Sequence, residues 1–517
     1  MKRIYLFAAM AMTGMQMQAQ DYAATQDTYV GASLATEDLN GTARYVGMGG
    51  AMDALGAEIS AIGSNPAGIG LFRKGQVSAT LGVNIQENGM SFQDGSKTHV
   101  SFDQVGIVYS SRQGKESYVN FAFNYHKNRN FNHVLFAANA LNGSAQNRQT
   151  VFKDMNGLFN HNGLAYSQLD DLYEGNMVLD KEGVLHDYAG ESYDFTRANT
   201  GYIGEFDFNI SGNIKNRLYL GLTIGIHNVN YKNYSEYYEV LNSTEISDVL
   251  ITDNHKITGF GYNIKAGLIV RPIEESPFRI GVSVATPTFY RLTTENYTTI
   301  GGSVDRSAAK EDFRFNTPWK FGVSLGHTVG SNIALGAGYE YADYGACDMR
   351  VIDGRRYDWY NDVYYDDSSS DNVMKRHTER TLRGVSTLKV GAEFKPDKNV
   401  AVRLGYNYVS PMYQENGVRD QTLQSPGVYY ASTTHYINWK DTHRITAGVG
   451  FSFDKFRLDL AYQYNMRKGN FYPFMPDYSA AYIDDETGQT VTLNNHCNAV
   501  EVKDNRHQIQ CSLTYSF

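Results

Sequence analysis

The sequence predicts an all-β fold: a transmembrane, antiparallel, up-and-down β-barrel of about 14 strands with an N-terminal plug in its lumen. Three observations lead there. Apolar and polar residues alternate with a period of two through most of the chain after Gln76. Short and long connectors alternate between these runs. The chain ends on an alternating run, His507 to Phe517, with an aromatic terminus.

At the N-terminus, Lys2 and Arg3 precede an apolar run, Ile4 to Met12, and Ala19 offers a cleavage point. Residues 1–19 therefore read as a secretory signal peptide, too short to span a bilayer. No Cys lies near the cleavage point, which argues against a lipid anchor. Residues 20–75 lack strand periodicity and are rich in Gly, Ala and Met, as in Gly47-Met48-Gly49-Gly50-Ala51-Met52. Small residues let backbones approach closely, so this stretch reads as a hatch packed inside something larger.

Residues 76–517 read as the barrel. Val77, Ala79, Leu81, Val83 and Ile85 share one strand face. Leu218, Leu220, Leu222, Ile224 and Ile226 oppose Tyr219, Gly221, Thr223, Gly225 and His227. Phe206, Phe208 and Ile210 oppose Glu205, Asp207 and Asn209. Charges such as Lys265, Lys389, Glu393, Arg403 and Asp459 keep to the second face. A slip of one residue would turn them toward lipid, where Arg or Lys costs roughly 2–4 kcal/mol at the midplane. Many second-face residues are Gly, the mark of a bend or of close approach by another backbone.

The joints at Lys215-Asn216-Arg217, Lys395 to Lys398 and Asp454-Lys455 are tight. Those at 128–200, 228–256, 292–312, 345–379, 411–439 and 467–504 are long and read as loops on the opposite side. A secreted β-sandwich shares this composition but has no reason to alternate its connectors. The 39 Tyr suit a membrane interface, and only 10 Pro suit paired strands. A mean hydropathy of −0.43 excludes a helical membrane protein. Without Lys2 and Arg3 the net charge goes from −9 to −11, which argues against nucleic-acid partners. Cys347, Cys497 and Cys511 make no disulfide framework, and whether Cys347 pairs with Cys497 stays open.

The block Ser60-Ala61-Ile62-Gly63-Ser64-Asn65-Pro66-Ala67-Gly68 resembles the Asn-Pro-Ala-Gly signature of the long-chain fatty acid transporter family of outer-membrane proteins (FadL/TodX-like). Gly41 to Ala51 is similar to the mature start of Bacteroidetes members. Further similarity lies in Gly281 to Thr288, Pro318 to Ser324 and Leu388 to Pro396. The resemblance implies a fourteen-stranded barrel in the outer membrane of a Gram-negative bacterium, with a periplasmic C-terminus. It implies passive uptake of a hydrophobic, fatty acid-like molecule by a monomer, without cofactor, metal or catalysis, in contact with membrane lipid. Asn65, Pro66, Ala67 and Gly68 are the matching hatch and gate candidates. The long loops at 128–200 and 345–379 depart from the family pattern.

Physically, Pro66 fixes its own φ and holds Asn65 out of the helical region, making a rigid corner. That corner is either a gate or a plain hatch-to-barrel turn. His126, His227, Glu205 and Asp207 are lumen-lining candidates, and the two His could alternatively offer imidazole to haem iron. A haemin receptor or a secretion-linked interaction protein is thus the alternative function. Gly322-Val323-Ser324-Leu325-Gly326 matches a nucleophile elbow but sits inside a strand pattern, so a lipid hydrolase finds no motif. The acidic, aromatic stretch Asp358 to Asp362 fits no calcium-loop spacing and reads as a solvated loop. Tyr166 to Leu172 reads as a short amphipathic loop helix.

Overall fold

The computed structural model describes residues 26–159, 164–179, 181, 185–301, 305–483 and 490–517; the signal peptide expected at 1–19 lies outside them. Fourteen strands form the barrel wall: β1 (Gln76–Gln86), β2 (Thr98–Arg112), β3 (Tyr118–Asn130), β4 (Gly190–Ile214), β5 (Leu218–Leu241), β6 (Asp248–Val270), β7 (Arg279–Ala285), β8 (Lys320–Val329), β9 (Ile333–Asp343), β10 (Gly384–Asp397), β11 (Val400–Val409), β12 (Tyr436–Phe453), β13 (Phe456–Tyr472) and β14 (Arg506–Ser516). Each pairs antiparallel with its neighbours. The ring closes where β1 pairs β14, from Gln76 opposite Ser516 to Gln86 opposite Arg506. The expected count and topology hold strand for strand.

The lower end carries the tight turns and both ends of the barrel sequence. Lys215 and Asn216 both take positive φ (50° and 53°) between β4 and β5. Two such residues give a turn whose twist matches that of the flanking strands. The N–H of Phe517 donates to the Gly75 carbonyl (3.0 Å). A side chain at Gly75 would overlap the Phe517 ring, which explains the glycine.

The outward face of the lower wall is apolar and exposed. Leu220, Leu222, Ile224 and Ile226 stand out on β5, and Phe206, Phe208, Ile210 and Ile214 on β4. Their opposites, including Asp207, Asn209, Ser211 and Thr223, are buried inside. That is the reverse of a water-soluble protein and what a hydrocarbon solvent demands. Tyr262, Phe289, Trp319, Tyr341, Tyr406 and Tyr462 stand exposed along the upper margin of this band. Aromatic rings favour such a margin because their apolar body and polar edge suit its two sides.

The long connectors expected as loops at 128–200, 228–256, 292–312, 345–379 and 467–504 carry strand over part or most of their described residues, whereas 411–439 is irregular apart from the helical turn Pro426–Tyr429 and the start of β12. β4 has 25 residues, β5 24 and β6 23. Crossing hydrocarbon takes only about 9–11 residues of tilted strand, so more than half of each rises above the band. There the face polarity reverses. On β4, Tyr193 and Phe195 point in and Asp194 points out; on β5, Val229 points in while Asn228 and Lys232 point out. Water replaces lipid outside, so the oily face turns inward, and a reading tuned to one phase loses the strand.

Further hairpins extend the wall upward. Phe289–Ile300 pairs with the upper half of β6 and with Asp305–Asn316. Asp348–Asp358 pairs with Val363–Ser370. Thr286-Pro287-Thr288 and Thr317-Pro318-Trp319 interrupt neighbouring strands at the aromatic margin, where a proline cannot donate to the ladder. Threonine side chains repair the break: Thr317 Oγ1 accepts from the Thr288 N–H (2.8 Å) and Thr286 Oγ1 from the Ile264 N–H (3.0 Å).

A cap closes the upper end. The expected amphipathic helix forms at Gln168–Tyr173, N-capped by Ser167, and Leu169, Leu172 and Tyr173 bury in an apolar cluster with Phe471 and Phe474. Cys497 lies in that cluster and Cys347 in another; both are free thiols, so the two do not pair. Cys511 is exposed on the lipid face. Glu239 is fully buried beneath the cap, accepting from the Tyr237 hydroxyl (2.7 Å) and the Gln146 N–H (3.2 Å).

Leu222→Arg, near mid-band, is expected to cost about 2–4 kcal/mol in a reversible vesicle-refolding titration. Burial pushes the Glu239 carboxyl up to about 7. The native cap thus holds this proton more tightly than the unfolded chain does. The resulting stabilisation is complete below the ordinary carboxyl range and is lost as pH rises to about 7. Proteolysis of the cap is expected to quicken between pH 5 and 8 (roughly the range bracketing that titration), and Glu239→Gln to flatten the profile.

Candidate functional site

Residues 26–75 descend along the inside of the barrel. Helix α1 (Thr28–Ala35) lies in the upper part, its N-terminus capped by Asp27, whose Oδ1 accepts from the N–H groups of Tyr29 and Val30 (2.9 and 3.0 Å). Asp38 ties the following turn to β3, accepting from Arg129 Nη1 and the Asn130 N–H (both 2.8 Å). Helix α2 (Ala43–Gly47), capped by Thr42, packs against β11 to β14. The chain then crosses to the opposite wall, where the 3-10 turn Pro66–Leu71 packs on β3 to β6.

The inward glycines are the seat of this segment. A Cβ at Gly221 or Gly267 would overlap the Asn65-Pro66 corner, and one at Gly391, Gly405 or Gly336 would overlap the backbone from Met48 to Ala51. Asn65 is buried, and its Oδ1 accepts from the Ala67 N–H (3.1 Å), capping the turn that holds Ala67 and Gly68. Its Nδ2 has no protein acceptor among the described residues. Ser211 Oγ donates to the Pro66 carbonyl (2.9 Å).

The four expected lumen residues converge. His126 lies 3.2 Å from Asp207 and 3.5 Å from Glu205, and His227 lies 3.2 Å from Glu205. Lys265 forms ion pairs with Glu205 and, at 3.3 Å, with Asp207. These side chains come from β3, β4, β5 and β6, at the level of the aromatic margin. His126, Glu205 and Asp207 alone could bracket a cation, but the Lys265 ammonium already answers both carboxylates. His227 has both ring nitrogens engaged, by Tyr290 and by Asn263 with Glu205, leaving no lone pair for haem iron. Ser324 of the elbow-like motif lies within strand β8, with no helix after it.

Two further charge groups anchor the segment. Arg44 pairs with Glu393, which Arg403 also meets (2.6 Å), and Arg403 meets Asp459 (2.8 Å). Lys389 reaches Asp53 (3.4 Å). Sequence reading placed the barrel-side charges on the inner face but missed Arg44 and Asp53, because nothing in a non-periodic segment says which side chain meets the wall.

Cavities lie above and below these contacts. A mouth cavity of about 140 Å³ and a lumen cavity of about 170 Å³ share Arg129, Arg467 and Arg506 in their walls. Two larger spaces of about 390 and 410 Å³ open near the lower end, beside Arg44 and Arg73. Sites for drug-sized molecules run about 300–1,000 Å³, so neither upper cavity alone matches one.

No protein-family model matches the sequence, and no curated protein matches it. Among solved structures, the chain is similar to a Pseudomonas aeruginosa FadL homologue (12% identity, 96% of this chain and 100% of that one, TM-score 0.49). It is also similar to the Ralstonia pickettii toluene transporter TbuX (12%, 93% and 99%, 0.44) and to the CymD monoaromatic hydrocarbon channel (9%, 93% and 99%, 0.47). These are proteins of the kind that the Asn65 to Gly68 block resembles. Likeness at this level assigns neither substrate nor site to this chain.

Lys265→Met would leave Glu205 and Asp207 buried without their cation. Breaking a buried pair from one side costs about 3–5 kcal/mol. A lowered melting temperature is expected, partly restored in Lys265→Met/Glu205→Gln.

Proposed function

We propose that this protein is a passive channel for hydrophobic molecules in the outer membrane of a Gram-negative bacterium. It acts as a monomer, without cofactor or catalysis, and its C-terminus is periplasmic. One observation carries the reading: a closed barrel with a lipid-facing band encloses a series of cavities, interrupted by residues 26–75. A closed wall prevents leakage between strands, so passage runs past that segment. The segment is read as a hatch spanning 20–75, within a barrel from 76 to 517.

The greasy character of the cargo is supported by the mouth cavity, where Tyr29, Phe131, Tyr231 and Trp439 line part of an otherwise polar wall. A polar porin needs a wide wet lumen instead. The Asn65-Pro66 corner is proposed as the gate. It sits on a glycine floor, and its amide donor lacks a protein partner among the described residues, so a small shift costs it little hydrogen bonding.

Uptake of a labelled long-chain fatty acid by intact cells is expected to rise when the protein is expressed. Asn65→Ala/Pro66→Ala should slow that uptake several-fold, roughly the effect of misplacing a single positioning corner, while the purified barrel keeps its heat-modifiable mobility on gels. Equal uptake with and without the protein would dismiss the channel; unchanged uptake in the double variant would dismiss only the gate.

A further inference from the structure

The two lower cavities share Arg44, Arg73, Glu393 and Lys395 in their walls and form one basin beneath the inner segment. It opens at the lower rim, past the exposed residues Ser331, Asn332 and Lys398. Eight cations line it, on a chain whose formal net charge is −9. Four of them are answered. Arg44 pairs with Glu393 (3.1 Å) and Glu58 (3.6 Å), and Arg403 with Glu393 (2.6 Å) and Asp459 (2.8 Å). Lys395 pairs with Glu393 (3.6 Å) and Arg457 with Asp459 (2.7 Å). Three carboxylates thus serve four cations.

The other four, Arg73, Lys74, Arg279 and Lys398, have no carboxylate partner among the described residues. Arg73 Nη1 donates to the carbonyls of Gly70 and Phe72 (both 3.1 Å). Arg279 Nη1 donates to the Leu55 carbonyl (3.0 Å), and its Nε is buried with no protein acceptor. Arg73 is close enough to repel Arg279. Neutral oxygens hold a guanidinium in place but leave its charge uncancelled, and a concave wall concentrates the field of such charges. One guanidinium fork saturates a planar carboxylate, which carries a single charge. A phosphate carries about 1.5 to 2 negative charges near neutral pH and points its acceptor oxygens in several directions. The unanswered cations also come from several directions. Arg73 and Lys74 belong to the end of the inner segment, Arg279 to β7, and Lys398 to the turn between β10 and β11.

We propose that this basin binds a phosphate group, free or as the head group of a phospholipid, with Arg73 and Arg279 as its principal partners and Lys398 at its rim. The orientation proposed above sets the basin beside the inner leaflet, where such head groups lie. The occupant would bridge the inner segment and the wall at the end away from the mouth. The site goes beyond the channel reading and depends on neither the cargo nor the corner at Asn65.

The test is calorimetric titration of the full-length protein, purified in a phosphate-free maltoside detergent, with inorganic phosphate, dihexanoylphosphatidate and acetate at one ionic strength near neutral pH. Inorganic phosphate and phosphatidate should each bind saturably. Acetate should bind at least roughly 10-fold more weakly, the difference that one further charge-assisted hydrogen bond makes. Arg279→Gln/Lys398→Gln should weaken phosphate binding by at least about the same factor. Phosphatidate binding tighter than inorganic phosphate would identify a lipid head group as the occupant, and equal affinities the free anion; both support the site. Absence of saturable binding by either, acetate binding as tightly as phosphate, or undiminished phosphate binding in the double variant would overturn it. Because the comparison of phosphate with acetate uses the wild type alone, a misfolded variant leaves the test intact.

Discussion

Hydrocarbon offers no hydrogen bonds, so each N–H and C=O in the membrane band must be answered by protein. The pairing of β1 with β14 meets that demand by closing the ring. Everything else follows from closure. A closed wall has an inside, and the oily residues must face out, so the polar and charged ones face one another across a confined interior. The residues that would make a poor core in water, such as Asp207, Asn209 and Thr223, become the lining.

That lining is held by pairs across strands and between wall and segment. Glu205 and Asp207 on β4 meet Lys265 on β6; Glu393 on β10 meets Arg403 on β11 and Arg44 of the inner segment. Buried ion pairs give little net stability, because desolvation offsets attraction, but removing one member is expensive. They therefore fix where the segment sits more than how strongly the barrel folds. The glycine floor does the same by shape: backbone meets backbone at Gly221, Gly267, Gly391 and Gly405, where any side chain would push the segment off its seat.

Above the aromatic margin the solvent changes from lipid to water, and the same strands invert their faces. Tyr193 and Phe195 turn inward to make an apolar core under the cap, where Glu239 is buried. The mouth cavity lies in this inverted zone, which is why aromatic rings and arginines meet there. The prolines at 287 and 318 mark the level of the change on neighbouring strands, with threonine hydroxyls supplying the missing ladder contacts.

Much of the fold was legible in the sequence, since a half-buried strand writes its two faces into a period of two. All fourteen wall strands, the tight lower turns and the inner face of Glu205, Asp207, His126 and His227 could be read that way. The upper strands could not, because the period persists while its phase against the solvent reverses, and a local pattern does not say which solvent lies outside. The partners of the inner-face charges were also hidden. Arg44 meets Glu393 across 349 positions of chain, and Arg197 meets His435 across 238, distances that only closure of the ring brings to contact. The alternation of side chains is a local property and survives in the sequence; the pairing of charges and the seating of Asn65 on its glycines depend on which strands become neighbours, and the tertiary structure alone decides that.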